Sequence, residues 1–273
     1  MSTLTIAKKD FQDAVRAKSL WALSALFVLA VGGIAWLFSS SNFVGAGQQA
    51  TTLGFVVFLQ GIAGTFVSIA GLVVAHKAIS GERESGSLKI LLGLPHSRRD
   101  VVFGKILGRS LVLTVAIVLG FLAAAVVMVV RFADLDFAKY ALFGLLTVAY
   151  GFVFVTIAVG ISSLTGSSSR SAALAIGFWI LNQAWGALSL GVLFVVSGFT
   201  IPSPPWPDWY AAFQGLSPGA AYGNAATYFL SEEARQITEQ FGGLPEWYGV
   251  VVLAAWMVLV LVFGYARFER VDL

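Results

Sequence analysis

Apolar residues along this chain fall into six long runs, at about 19–38, 53–75, 110–130, 140–161, 172–196 and 249–266. Each is near the roughly 20 residues that a helix needs to cross about 30 Å of hydrocarbon. No charged residue occurs anywhere between Ser19 and Ala75. A charge at the centre of an inserted helix costs roughly 2.5–3.5 kcal/mol, so a pattern that keeps Asp, Glu, Lys and Arg to tails, loops and span edges predicts six transmembrane helices. The last run has a short apolar core, but Trp247, Tyr248 and Tyr265 stand at its ends as interfacial anchors. The first run is too long for the core of a signal peptide and has no clear small-residue cleavage site after it, which predicts a retained span.

Outside the runs the pattern changes period. Residues 3–18 carry Leu4, Ala7, Phe11 and Val15 at helical spacing with Lys8, Lys9, Asp13 and Arg16 between them, predicting an amphipathic helix along the inner membrane surface. Two connections are long, a basic one over 76–109 and a Pro- and Trp-rich one over 197–248, whose Pro202, Pro204, Pro205, Trp206, Pro207, Trp209 and Tyr210 suit an interfacial element. The expected fold is all-α, a single transmembrane domain over 1–273 with no second soluble domain.

Composition agrees: 58% of the 273 residues are hydrophobic and 11% charged, with a mean hydropathy of +0.85, against about 25% charged in soluble domains. The basic residues set direction. Lys8, Lys9, Arg16, Lys18, seven residues of 76–109, Arg170, Arg267 and Arg270 make fourteen on one side, against Arg131, Lys139 and Arg235 on the other. The positive-inside rule places both termini in the cytoplasm. The same distribution explains the pI near 9.2 without nucleic acid.

The chemistry of the 76–109 connection is a charged turn, a short apolar helix, a Pro break and a new helix start, because Ser97 and Asp100 have capping-box spacing. Leu88, Leu91 and Leu92 offer an apolar face, and Glu82, Arg83 and Glu84 dense charge; such an element suits docking into a soluble partner, although a solvated loop would satisfy the same residues. The run Glu82-Arg83-Glu84-Ser85-Gly86-Ser87-Leu88, then Leu91-Leu92, Pro95, Ser97-Arg98 and Gly104-Lys105, resembles the loop between spans two and three of ABC-2-type transporter permeases. The ending Arg267-Phe268-Glu269-Arg270-Val271-Asp272-Leu273 is similar to that of the permeases associated with nitrous-oxide reductase maturation.

The resemblance implies a membrane subunit of an exporter in the cell membrane. Glu82, Arg83, Glu84, Gly86, Ser87, Leu88, Leu91, Leu92, Pro95 and Arg98 would form a coupling element for a separate ATPase subunit, and a second copy or a similar permease would complete the pathway. It also implies that the long outer connection gates the exit, with Ser217-Pro218 in its turn. No G-x-x-x-x-G-K-[ST] loop occurs, so ATP and magnesium would bind to the partner and this chain would carry no cofactor.

Within the spans the polar exceptions are Gln60, Asn182 and Gln183, candidates for a pathway or for interhelical hydrogen bonding. Gly61 with Gly64 and Gly104 with Gly108 predict close helix packing. Gly215-Leu216-Ser217-Pro218-Gly219 has the form of a nucleophile elbow, but both histidines, His76 and His96, fall on the opposite side of the membrane. With no Cys, two His and three Met, no metal-ligand set is visible. A secondary transporter or channel remains the alternative; it would ordinarily carry an ionisable group inside a span, and none is present.

Overall fold

The computed structural model describes residues 3–40, 49–93, 97–203, 206–230, 244–245 and 247–269. Pro95, Pro204 and Pro205 lie outside the described residues. Helix α1 (Thr3–Arg16) is followed by Lys18, whose left-handed backbone (φ 58°) turns the chain into α2 (Ser19–Phe38). Then follow α3 (Thr52–Ala75), two short helices α4 (Ser80–Glu84) and α5 (Ser87–Gly93), and the long α6 (Arg98–Arg131). The second half holds α7 (Phe137–Leu164), α8 (Ser168–Val196), two more short helices α9 (Asp208–Gln214) and α10 (Pro218–Leu230), and α11 (Tyr248–Glu269).

Six of these, α2, α3, α6, α7, α8 and α11, are long and apolar enough to cross a membrane, and no strand occurs among the described residues. The chain is an all-α integral membrane protein. Helix α7 is the central post: 61% of its apolar window is buried, against 17% for α8 and for α11. It packs on α3, α6, α10 and α11. A run of ring contacts crosses the bundle from Phe38 and Phe55 through Tyr140, Phe121 and Phe143 to Tyr222, Tyr150, Phe154, Phe178 and Trp256. These rings interlock where lipid supplies no hydrophobic drive and close packing must hold helices together.

Helix ends are set by local chemistry. Ser97 and Asp100 form the expected capping box at the start of α6: the Ser97 hydroxyl accepts from the Asp100 N–H at 3.1 Å while the Asp100 carboxylate accepts from the Ser97 N–H at 3.2 Å. Thr51 and Asp136 are N-caps of α3 and α7, their side chains accepting from the Gly54 and Lys139 amides. Thr52 also bonds Asp134 by its N–H (2.8 Å) and its hydroxyl (3.0 Å), closing the turn between α6 and α7.

Two elements depart from a bundle joined by loops. Helix α6 reaches three turns beyond the span expected from residue 110, and α1 lies along that extension, burying Ile6, Ala7, Asp10 and Ala14. Gly104 and Gly108 make this possible, since a β-carbon at either would fall 2.7 Å from Ile6 or 2.8 Å from Asp10. Gly61, by contrast, faces open space. Within the long 197–248 connection, α10 buries Ala221, Tyr222, Ala225 and Ala226 against α3, α7 and α11. Tyr222 stacks on Tyr150, 4.4 Å between centroids, and Tyr150 lies 13 residues along α7, about 20 Å of helix. Helix α10 is therefore a re-entrant element that dips into the bundle rather than a lid over it.

Candidate coupling element and translocation cavity

The segment Glu82–Leu88 is built as one unit. Its N-terminal side is pinned by α7, where the Ser162 hydroxyl accepts from the amides of Ile79 (3.0 Å) and Ser80 (2.9 Å) and so caps α4. From α8, the Ser171 hydroxyl donates to the His76 carbonyl. Gly86 then turns the chain with φ +75°, a conformation open to glycine at no steric cost, and its N–H closes on the Arg83 carbonyl at 3.2 Å. Around that turn the hydroxyls of Ser85 and Ser87 donate to the Glu82 carbonyl at 3.2 and 3.3 Å. The short apolar and hydroxyl residues of the motif thus fold the hairpin, and its charges are free for other work.

Those charges point in different directions. Glu84 is exposed and accepts from the Ser168 N–H at 3.0 Å, at the first turn of α8. The hydrogen bonds from Ser168 hold its carboxyl below the usual carboxylate range, as expected for an acid at a helix N-terminus. Arg83 lies with its guanidinium against Gly166, where a β-carbon would meet its Cζ at 3.4 Å. Glu82 turns inward to Lys105, whose ammonium lies 2.5 Å from Glu82 Oε1 and 2.8 Å from Asp10 Oδ1. The other oxygen of Asp10 meets Arg109 Nε at 2.7 Å, and Arg109 also donates to the Val74 carbonyl at 3.3 Å.

Leu88 is fully buried and anchors α5 to the core, with Leu91 packed beside it. The exposed side of α5 is Ser87, Lys89 and Gly93. Leu92 belongs to α5, with its side chain outside the described residues. Arg98 donates to the carbonyls of Phe268 and Glu269 and stands 5.4 Å over the Phe268 ring, so it ties the end of α11 to the start of α6.

A second site lies at mid-depth. Gln60, Asn182, Gln183 and Ser217, far apart in sequence, line one cavity of about 210 Å³ together with Thr65, Tyr150 and Tyr222. Asn182 accepts from the Gly219 N–H at 2.9 Å and donates to the Gln183 side chain at 3.1 Å; Gln183 donates to Thr65 at 3.0 Å and Gln60 to the Gly223 carbonyl at 3.1 Å. Ser217 accepts from the Ala220 N–H at 3.1 Å, capping α10, and Pro218 takes the first helical position, where a missing N–H is harmless. The polar exceptions on α3 and α8 thus hold the tip of the re-entrant helix. No Asp, Glu, Lys, Arg or His lines this cavity among the described residues.

Sequence reasoning missed Asp10, Lys105 and Arg109 as a set. A pointer was available: positions 6, 7, 10 and 14 form one helical stripe, so Asp10 stands in the buried face of α1, and Gly104 with Gly108 marks the groove that receives it. It also missed Tyr150, Tyr222 and Thr147, whose hydroxyl meets that of Tyr222 at 2.9 Å. Tyrosine within an apolar run reads as packing, and nothing in its spacing separates the two roles.

A six-span bundle with a structured hairpin on its basic side and a re-entrant helix on the other defines a membrane transport subunit. The family description "ABC-2 family transporter protein" matches residues 4–273, and the chain belongs to that family. A relative from Stutzerimonas stutzeri, "Probable ABC transporter permease protein NosY", is 30% identical over 279 residues, covering 97% of both chains. A protein of the same name from Pseudomonas aeruginosa is 32% identical over 199 residues, 71% of each. The chain is a membrane-spanning permease subunit of an ABC transporter.

Proposed function

We propose that this permease works as one half of an exporter in the cell membrane, both termini cytoplasmic, opposite a second copy or a similar permease. A separate ATPase subunit, which binds ATP and magnesium, docks on the exposed side of α4 and α5. Glu84, Ser85, Ser87 and Lys89 present the contact surface there. Nucleotide binding shifts the population between inward- and outward-open states, and cargo moves because it binds the two states differently. The name NosY carried by the two relatives and the Arg267–Leu273 ending support a reading in which the chain serves the subgroup noted from that ending.

The observation that carries this reading is the mid-depth cavity. Gln183 and Gly61 are exposed and Gln60 half-buried, on helices that hydrocarbon would otherwise surround. Each amide makes an internal bond, Gln183 to Thr65 and Gln60 to the Gly223 carbonyl, yet a primary amide has a second N–H and further acceptor capacity that lipid cannot meet. This face therefore belongs against protein or water, as a shared pathway requires. Among the described residues its lining holds no Asp, Glu, Lys, Arg or His of the kind that ion-coupled carriers use, which favours an external ATP-driven motor.

Purification of the tagged chain from native membranes tests the reading. A soluble subunit with a P-loop should accompany it, and Lys89→Glu or Glu84→Lys should lose that subunit while the chain remains inserted. Purification of the unaltered chain with no ATPase present overturns it.

A further inference from the structure

We propose that Asp10, Lys105 and Glu82, with Arg109, are positioning residues that make the interfacial helix α1 part of the drive mechanism, so that movement of α4 is passed to α1 and to the inner end of α6 as one body.

The side chains of Asp10 and Lys105 are 3% and 7% exposed, and those of Arg109 and Glu82 are 28% and 26% exposed. Exposed ion pairs are screened and weakly restraining; a pair withdrawn from water interacts at lower dielectric and is penalised if parted. The four charges sum to zero, and removing either central member strands an end partner: loss of Lys105 strands Glu82, and loss of Asp10 strands Arg109. Lys105 is the centre, since its ammonium meets both carboxylates, and Asp10 joins it to Arg109: Oδ1 accepts from Lys105 Nζ at 2.8 Å and from Arg109 Nη2 at 3.1 Å, while Oδ2 lies 2.7 Å from Arg109 Nε.

Topology gives the arrangement its consequence. Helix α4 is only five residues long and is held by three ties: Ser162 of α7 at its start, Ser168 of α8 at its end, and Lys105 through Glu82. Of these the Lys105 tie alone leads to α1. Arg109 extends the same network to α3 through the Val74 carbonyl. Helix α1 continues through Lys18 into α2, so a displacement reaching Asp10 is delivered to the first span.

This inference rests on the proposed docking of an ATPase at α4 for the source of the push, but its test does not. The chain has no cysteine, so spin labels can be attached through Asp13→Cys on α1 and Lys77→Cys just ahead of α4, both exposed positions. Electron–electron distance measurements on the permease in nanodiscs, with and without its co-purified ATPase, then read the link. The labelled parent should give one narrow distance that ATP leaves unchanged. Lys105→Met should lose that narrow distribution, and Lys105→Arg should retain it. Where Lys105→Met fails to accumulate, Glu82→Gln, which removes one charge at the more exposed end, should broaden the distribution in its place.

A narrow, parent-like distance in folded Lys105→Met, or in Glu82→Gln where that variant replaces it, overturns the proposal, as does an ATP-driven change in the parent distance. If no ATPase accompanies the parent, the functional reading fails, while the comparison of parent and variant in the permease alone still decides the network.

Discussion

At the scale of single residues, the charged motif divides its labour, and the division can be measured. Glu82 and Glu84 look equivalent in sequence; one closes an ion network with Lys105 and the other caps α8 through Ser168. Whether an acid faces inward or outward depends on where α6 and α8 pass, which spacing in a five-residue helix does not reveal. Asp10→Ala would strip Lys105 and Arg109 of a shared, buried partner, leaving Glu82 as the one remaining carboxylate. Breaking buried pairs from one side costs about 3–5 kcal/mol, and the residual Glu82 contact places this variant near the lower end, about 3 kcal/mol, in detergent unfolding by heat or denaturant. Glu84→Gln tests the other carboxylate. Its folded pKa is depressed below the usual 4.5, so the stabilisation is present above that value and is lost as pH falls through the folded pKa. The unfolding temperatures of parent and Glu84→Gln should differ at neutral pH and converge in acid. Gly86→Ala isolates the backbone: no atom lies within 4 Å of the added carbon, and φ is +75°. The left-handed conformation alone should cost about 1–2 kcal/mol, and Gly86→Asn less.

At the scale of elements, the spans were legible because a helix in hydrocarbon must be apolar along its whole length, and that pattern survives any packing arrangement. Their ends on the basic side were not. Helix α6 has 34 residues, about 51 Å of helix against about 30 Å of hydrocarbon. Its first three turns carry Arg98, Arg99, Asp100, Lys105 and Arg109 and so read as loop. The alternation there reflects a protein-facing stripe, not an aqueous linker. Helix α10 was hidden for the opposite reason: the small residues and tyrosines of Pro218–Leu230 are too few and too mixed to read as a span, and the prolines before them suggest irregular chain. Helix α1 offers the sharpest element-scale test. Gly108→Leu would drive a side chain into a groove where even a β-carbon lies 2.8 Å from Asp10 and 3.0 Å from the Ala7 carbonyl. Helix α1 should detach from α6 while the six spans stay inserted. Tryptic cleavage at Lys8, Lys9 and Arg16 in inside-out vesicles should then become faster than in the parent; unchanged cleavage would show that the groove does not hold α1.

At the scale of the whole molecule, the exposed membrane face is uneven in a way that a single subunit leaves unexplained. Most of α8 presents Leu174, Ile176, Ile180, Leu181 and Leu188 outward, as lipid contact allows, yet Gln183 interrupts that face beside the open surface of Gly61 on α3. Gln60, Asn182 and Gln183 could be picked out in the sequence because each is an amide in an otherwise apolar run. That they meet the turn at Ser217 could not be, because it depends on α10 entering the bundle. A face holding amides at this depth is costly against hydrocarbon and inexpensive against a second polar face or water, so assembly should bury it. Since the chain has no native cysteine, Gly61→Cys places a lone thiol at the centre of that face. If two copies pair there, oxidation in native membranes should give a covalent dimer from Gly61→Cys and none from a control such as Val258→Cys on α11, which is also exposed. Where the partner is a similar permease instead, the Gly61→Cys chain should stay monomeric until that partner carries its own cysteine at the matching position. Gln183→Leu should lower the yield of the crosslinked species, because it removes the hydrogen-bonding group whose exclusion from lipid drives the two faces together. Equal yields from Gly61→Cys with Gln183 or Leu at that site would separate dimer formation from the polar face, leaving shape alone to account for the contact.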